Sequence, residues 1–353
     1  MCHEPRATSH VPRAYNSIVN HNVSLIPGDG IGPEVADATV RAVEATGIPV
    51  RWERIELTRE IIERSGESLP EGVVESLQRT RVGLKGPVTT PIAGGFQSVN
   101  VALRKRLDLF ANVRPVRNLP GLKTRYRDAK IDMIIFRENT EDLYAGLEHE
   151  VVTDVVTSLK VITRRASERI ARYTFEFARR TGRRNITAVH KANIMKLGDG
   201  LFLRCCREVA REYPDIGYKE LIVDNAAMQL VMHPETFDLL LMPNLYGDIV
   251  SDLVAGLVGG LGIVPGSNMG EQCAMFEAVH GSAPDIAGKG IANPTALMQS
   301  AVLMLAHLGE QAASSRLQTA IERVYAEGKH LTPDVDGSAG TTEFTNAVVA
   351  AMQ

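Results

Sequence analysis

The segment FDLLLMPNLYGDIVSD, residues 237–252, constrains the fold more than any other. Phe237 to Met242 is an apolar run of strand length, Pro243 ends it, and Asn244 opens a helical pattern. A strand that passes straight into a helix is one repeat of an α/β sheet. The helix carries Asp248 and Asp252 four residues apart, so both carboxylates share one face. Like charges at that spacing repel, and a hard divalent cation such as Mg²⁺ or Mn²⁺ would relieve them. The alternative is an acidic first turn favoured by the helix dipole.

The same strand–loop–helix unit recurs along the chain. Val23 to Ile26 reads as a strand, PGDGIGPE (27–34) as a turn, and 33–46 as a helix. Pro33 falls in the first helical turn, where its missing N–H would have had no partner anyway. The glycines match neither G-x-G-x-x-G nor a phosphate-gripping P-loop, which excludes the ordinary dinucleotide fingerprint. Further strands are expected at 49–57, 81–85, 108–113, 131–136, 185–190, 219–223 and 274–277. Helices are expected at 70–78, 99–107, 165–181, 199–213 and 226–231, with two final ones at 294–308 and 313–327. Residues 151–163, rich in Val, Ile and Thr, read as a hairpin or arm between subunits. Interleaved strands and helices give an α/β class, and the scattered polar motifs imply one cleft between two domains.

A chain of 353 residues is long enough for about two such domains. A formal charge of −3 with both signs mixed throughout offers no footprint for nucleic acid. No apolar run reaches the roughly eighteen residues a membrane span needs, so no membrane partner is expected. Cys2, Cys205, Cys206 and Cys273 show no C-x-x-C or zinc spacing, which fits reduced intracellular usage. Residues 1–22 are polar without a secretory core and read as a flexible tail of a cytoplasmic protein. A transit peptide leading to the mitochondrial matrix is the alternative, weakened by Glu4 and the prolines.

Asp224 follows the strand expected at 219–223 and is a third candidate metal ligand beside Asp248 and Asp252. Ligands of α/β sheets gather at strand ends. Arg104, Arg114 and Arg137, each expected near a loop or strand end, suit a small polycarboxylate through forked hydrogen bonds. Ser98 and Asn100 would add neutral hydrogen bonds, Asn100 on the helix face of Arg104. Tyr144 and Lys191 are candidate proton carriers, given a lowered pKa. His190, beside Lys191, is assigned no role. The loop HGSAPDI (280–286) could wrap an adenosine, with Asp285 accepting from ribose hydroxyls and repelling a 2′-phosphate. Asn293 offers an amide to adenine.

These motifs, in this order, resemble the decarboxylating β-hydroxyacid dehydrogenases, the group of isocitrate and 3-isopropylmalate dehydrogenases. The resemblance rests on IPGDGIGPE (26–34), RENTE (137–141), HKANIM (190–195), NLYGD (244–248), GGLG (259–262) and FEAVHGSAPDI (276–286), and spans residues 23–353. It implies a two-domain α/β fold with a central cleft, unrelated to the Rossmann fold. Residues 23–110 and 265–353 would form a large domain with the cofactor loops. Residues 111–264 would form a small domain with a dimerisation arm.

The resemblance further implies a homodimer with shared active sites, or a higher oligomer. Asp248 and Asp252 of one subunit would hold Mg²⁺ or Mn²⁺ together with Asp224 of the other. Lys191, also given across the dimer, and Tyr144 would be catalytic. Asn193, Ser98, Asn100, Arg104, Arg114 and Arg137 would meet the substrate. Thr89 and Thr90 would lie near the nicotinamide, and His280, Gly281, Asp285, Ile286 and Asn293 would hold the adenosine of NAD. Relatives that use NADP tend to carry Lys and Tyr where Asp285 and Ile286 stand. Ser98 and Asn100 favour isocitrate, because an apolar pocket would face a carboxylate at a large desolvation cost. The expected reaction is therefore NAD-dependent oxidative decarboxylation of isocitrate to 2-oxoglutarate and CO₂. The alternatives are 3-isopropylmalate, homoisocitrate or tartrate as substrate, or a non-catalytic regulatory subunit.

Overall fold

The computed structural model describes residues 20–89 and 98–353. Thr90, Cys2 and residues 1–19 of the expected tail lie outside them. The expected alternation of strands and helices is present throughout. The strands are β1 (His21–Ile26), β2 (Val50–Arg54), β3 (Val82–Lys85), β4 (Ala111–Arg117), β5 (Asp132–Glu138), β6 (Glu148–Val152), β7 (Val155–Ser158), β8 (Asn185–His190), β9 (Gly217–Ile222), β10 (Leu239–Met242), β11 (Pro265–Met269) and β12 (Ala274–Ala278). The helices are α1 (Gly32–Glu44), α2 (Arg59–Ser65), α3 (Glu71–Thr80), α4 (Val99–Arg106), α5 (Arg164–Thr181), α6 (Gly198–Ala210), α7 (Val223–Met232), α8 (Asn244–Val258), α9 (Thr295–His307), α10 (Gln311–Glu327) and α11 (Thr341–Ala351).

Ten of these strands form one sheet in the order β2-β1-β3-β12-β11-β4-β5-β10-β8-β9. β2, β1, β3 and β12 are mutually parallel, as are β5, β10, β8 and β9. Between the two groups, β11 and β4 are antiparallel to each other and to their outer neighbours. The sheet is thus two parallel halves of opposite direction, seamed at its centre. β6 and β7 stand apart as an antiparallel hairpin with every residue exposed.

Helix α5 shows how local sequence builds the frame. Thr163 caps it by accepting from the Ala166 N–H at 3.2 Å, and Gly182 ends it in the left-handed conformation. Ala166, Ile170, Ala171, Thr174, Phe175 and Ala178 recur at helical spacing and are buried, while its arginines face outward to Glu208, Glu212 and Asp215. Helix α8 follows β10 directly, with Pro243 at its cap and Tyr246, Gly247, Val250, Val254 and Ala255 buried.

Four expectations need correction. Strand β1 starts at His21 rather than Val23, because His21 and Asn22 pair with Val50 and Arg51. The strand expected at 108–113 lies at 111–117, since Asp108 has φ 47°, a turn conformation. β11 and α2 were not foreseen. The C-terminal region carries a third helix, α11, beyond the two expected.

Candidate active site

The cleft lies over the central seam and encloses about 270 Å³. Its floor is made by residues that the sheet register places side by side. Glu277 on β12 pairs with Lys85 on β3 and with Gly266 on β11, and Asn112 on β4 lies between Asn268 and Arg137. Side chains two apart on a strand point the same way, so Asn112 and Arg114 share this face. Arg114 and Arg137 therefore sit within strands rather than just beyond strand ends, while Arg104 lies on α4, the helix expected for it.

Arg104, Arg114 and Arg137 are all buried and line the cleft with Ser98, Asn100, Tyr144 and Asp248. Burial, then the charge of Arg137, then that of Arg104, push Arg114 down to about 10. Burial and Arg137 likewise lower Arg104. Three guanidiniums so placed are an anion trap. Of eight buried side-chain polar atoms without a partner among the described residues, four belong to residues facing this cleft: Asn100 Oδ1, Arg104 Nε, Arg137 Nη2 and His280 Nε2. Buried polar atoms are almost always paired in folded proteins, so this concentration marks where a polar ligand belongs.

Asp248 joins the trap to its rim. It accepts from Arg137 and from the Tyr144 hydroxyl. Burial pushes its carboxyl up, but Arg137, the Tyr144 hydroxyl and Arg114 outweigh that and hold it low. Asp252, one turn on, is raised by burial and by Asp248, against the pull of Arg114. Gly247 makes the approach of α8 to β5 possible, since a Cβ there would stand 2.4 Å from Arg137 Cγ. Burial and the bond to Asp248 raise the Tyr144 phenol, so it is protonated at neutral pH.

Lys191 and Asp224 form a second group. Lys191 Nζ donates to Asp224 Oδ1 at 2.6 Å, and this bond lowers the fully exposed Asp224 carboxyl. The Lys191 backbone N–H donates to the buried Asp199 at 2.6 Å. Asn193 lies in the same turn, at 191–194. Within one chain Asp224 does not join Asp248 and Asp252, nor does Lys191 contact Tyr144. Among the described residues no three His, Cys, Asp or Glu side chains gather as a metal site. The trio expected from the residues is therefore not assembled by one chain. His190 accepts from the Ala192 N–H at 3.0 Å, a structural use.

A second cavity of about 600 Å³ adjoins the first, for His280 and Gly281 line both. Ile31, Ile286 and Ile291 give it apolar walls. Gly28 and Gly30 have positive φ, and a Cβ on either would meet the Pro87 or Ser282 carbonyl at 2.0 Å. The glycines of PGDG thus let this turn pack against the loops that carry Pro87 and Ser282. Thr89 Oγ1 is 2.8 Å from Ser282 Oγ, and the Thr89 N–H donates to Asp29. Asp285 is exposed beside Ile286 and is not part of the cavity lining. Asn293 is buried and committed: its amide nitrogen donates to Asp334 and Tyr325, and its oxygen accepts from the Thr295 N–H. Its side chain has no hydrogen left for adenine.

Lys85, Glu277, Asn112 and Asn268 were not foreseen as site residues. Lys85 Nζ meets Glu277 Oε2 at 2.7 Å. Burial raises the Glu277 carboxyl, but Lys85 and Arg104 overcome it and hold it at about 2. The available signal was a lysine ending a strand otherwise apolar, and a glutamate within FEAVHG.

Comparison with known proteins follows the same lines. The sequence pattern of the family described as isocitrate/isopropylmalate dehydrogenase matches residues 22–348. The chain is 54% identical over 344 residues to mitochondrial catalytic subunit 5 of NAD isocitrate dehydrogenase from Arabidopsis thaliana, covering 97% of this chain and 91% of that one. It is 53% identical over 321 residues to the chloroplastic 3-isopropylmalate dehydrogenase of Solanum tuberosum, covering 90% and 89%. The crystal structure of isocitrate dehydrogenase from Methylococcus capsulatus superposes with a TM-score of 0.90 at 48% identity, covering 94% of this chain and 99% of that one.

Proposed function

Because this chain belongs to the isocitrate/isopropylmalate dehydrogenase family, we propose that it catalyses NAD-dependent oxidative decarboxylation of isocitrate to 2-oxoglutarate and CO₂. The observation that carries this reading is the cleft itself: three buried arginines, of which Arg104 and Arg137 keep an unspent hydrogen-bonding atom, flanked by Ser98 and Asn100. A tricarboxylate with one hydroxyl matches that inventory. The roles below are part of the proposal.

Arg104, Arg114 and Arg137 bind the carboxylates shared by all substrates of this type, and Ser98 and Asn100 bind the one particular to isocitrate. Asp248 and Asp252 would hold the divalent ion together with the partner subunit's Asp224. Two carboxylates one turn apart, one of them raised by the other, fit that donor set. Bound Mg²⁺ or Mn²⁺ supplies Lewis-acid stabilisation of negative charge on substrate oxygens. Lys191, once its own proton has passed to Asp224 or to water, accepts the proton of the C2 hydroxyl, with Asn193 beside it. NAD⁺ would take the C2 hydride, with Thr89 beside its nicotinamide. Loss of CO₂ from the resulting β-keto acid leaves C3 to be protonated by the Tyr144 hydroxyl. His280, Gly281 and Ile286 enclose the adenosine, with adenine read by backbone groups near Asn293 and the ribose by Asp285.

Two chains are needed for one complete site. Ile194, Leu197, Met228, Val231, Met232 and Ile249 are exposed around Lys191 and Asp224, as are Val151, Val152, Val155 and Val156 on the β6–β7 hairpin. Apolar surface of that extent marks an interface. It supports a dimer in which residues 111–264 form the associating domain and the remainder the cofactor domain. The mitochondrial relative supports the matrix over the cytoplasm as the compartment.

The second reading is 3-isopropylmalate, favoured by the Solanum tuberosum relative and by Val88 and Val101 in the cleft wall. Initial rates with NAD⁺ and Mn²⁺ on isocitrate, homoisocitrate, 3-isopropylmalate and tartrate separate them. Isocitrate should lead in kcat/KM by about a hundredfold or more, the scale set by leaving buried polar groups unpaired. A lead for 3-isopropylmalate would sink the proposal. No turnover of any substrate would favour the regulatory-subunit reading.

A further inference from the structure

Behind the arginines, two buried asparagines join the two halves of the sheet. Asn268 on β11 and Asn112 on β4 are direct cross-strand partners. Asn268 Nδ2 donates to Glu277 Oε1 at 2.7 Å, and Asn112 Nδ2 donates to Asn268 Oδ1 at 2.8 Å. Arg114 Nε then donates to Asn112 Oδ1 at 2.8 Å. Glu277 is in turn paired with Lys85.

The direction of every amide in this line is forced from both ends. An ionised carboxylate only accepts, so Asn268 must present its nitrogen to Glu277 and its oxygen to Asn112. A guanidinium only donates, so Asn112 must present its oxygen to Arg114. Asn139 adds a second donor to Asn268 Oδ1 at 2.9 Å, and its own oxygen is left buried without a partner. Chains of aligned hydrogen bonds polarise one another, and burial strengthens them.

We propose that Glu277, Asn268 and Asn112 form a one-way amide relay that orients Arg114 for the substrate carboxylate, with Asn268 and Asn112 as positioning residues. The proposal rests on the polycarboxylate reading above. Its physical sense lies in what it avoids. Arg114 already faces Asp248 at 3.8 Å and Asp252 at 3.4 Å through its Nη atoms, and a third carboxylate set directly against Nε would leave still less of its charge for the substrate. The relay sends the influence of Glu277 through two neutral groups, so the guanidinium is held at Nε while it keeps its charge for the ligand. Arg114 touches Ser251 and lies 3.4 Å from Asp252, so its orientation also sets how the anion trap meets the acidic helix.

Steady-state kinetics of the full-length protein with isocitrate, NAD⁺ and Mn²⁺ test this. Asn268→Leu and Asn112→Leu should each raise the KM for isocitrate by about tenfold, the scale of one hydrogen bond to a charged group, with kcat and the KM for NAD⁺ within about twofold. The double variant should be no worse than either single one, because both act through Arg114. Asn268→Asp guards against misfolding of the leucine variants. Its neutral carboxyl can donate to Glu277 and accept from Asn112, whereas its carboxylate cannot donate. Its KM should therefore fall toward the parent's as pH is lowered. The charged groups that face the position are Glu277 on β12, Lys85 on β3, Arg104 on α4 and Arg114 on β4. An unchanged KM in both leucine variants, additive effects in the double variant, or an Asn268→Asp KM that follows the parent's pH profile would overturn the relay. A parent that fails to turn over isocitrate would overturn the polycarboxylate reading first, and the relay with it.

Discussion

The anion trap and the Lys191–Asp224 pair are both ion-pair assemblies, yet one is buried and the other stands in solvent. Glu277, Lys85 and the three arginines are each less than a tenth exposed, and every strand that carries them is braced on both sides. Asp224 lies on α7 among exposed Met228, Val231 and Met232. The first assembly is finished by one chain. The second is surrounded by apolar surface left exposed among the described residues. On the proposed reading, the contrast teaches that substrate binding is written largely into a single fold, while removal of the hydroxyl proton depends on the association of two.

That contrast can be broken first at Lys191. Lys191→Met should lower kcat by about 10²- to 10⁴-fold, the range for a positioned acid–base group. The KM for isocitrate should stay within a few-fold, since the trap is untouched. A variant with normal kcat would make the exposed pair a surface salt bridge, which contributes little.

Acid stability sharpens the contrast next. Glu277 is held at about 2, below an ordinary glutamate near 4.3. Its ionised form therefore stabilises the fold above about pH 4.3, and that contribution is lost as pH falls toward about 2. At its full extent it is on the order of 3 kcal/mol. Thermal unfolding of Glu277→Gln across this window should show a shallower acid limb than the parent. Asp224→Asn should change the limb far less, because the exposed Asp224–Lys191 pair is screened by water. Identical limbs for all three proteins would erase the distinction between the two assemblies.

The smallest expected effect is at the hairpin. Val156→Asp should weaken self-association about tenfold, from the transfer cost of one valine side chain. Sedimentation velocity over a dilution series would show it, with specific activity falling as the chains separate. Activity independent of concentration in this variant would remove the hairpin from the interface.

Much of this was legible in the sequence. The acidic helix was readable because Asp248 and Asp252 sit at helical spacing behind an apolar run ended by proline. The three arginines were readable as residue types, though the register that gathers them was not. β11 was missed because Pro265-Gly-Ser-Asn-Met269 has no apolar alternation. Its inward positions hold the glycine beside Glu277 and the asparagine of the relay, so the strand's chemistry hid its geometry. α11 was missed for want of a strong apolar stripe, since only Thr341, Phe344, Thr345 and Val348 are buried on it. Asn293 lines the second cavity, as its place near the loop suggested, but its bonds to Asp334, Tyr325 and Thr295 could not be read from the sequence.

The bare α-carbon at Gly247 has a consequence for the range of acids this cleft accepts. With α8 pressed against the stem of Arg137, the span from that guanidinium to Asp248 is a fixed dimension, and any methyl group there would wedge helix from strand. Ligand length must then be accommodated on the opposite wall, where α4 presents Ser98, Asn100 and Arg104. Selection for a longer or bulkier acid would then act on that wall, whereas the jaw formed by α8 and β5 stays constant.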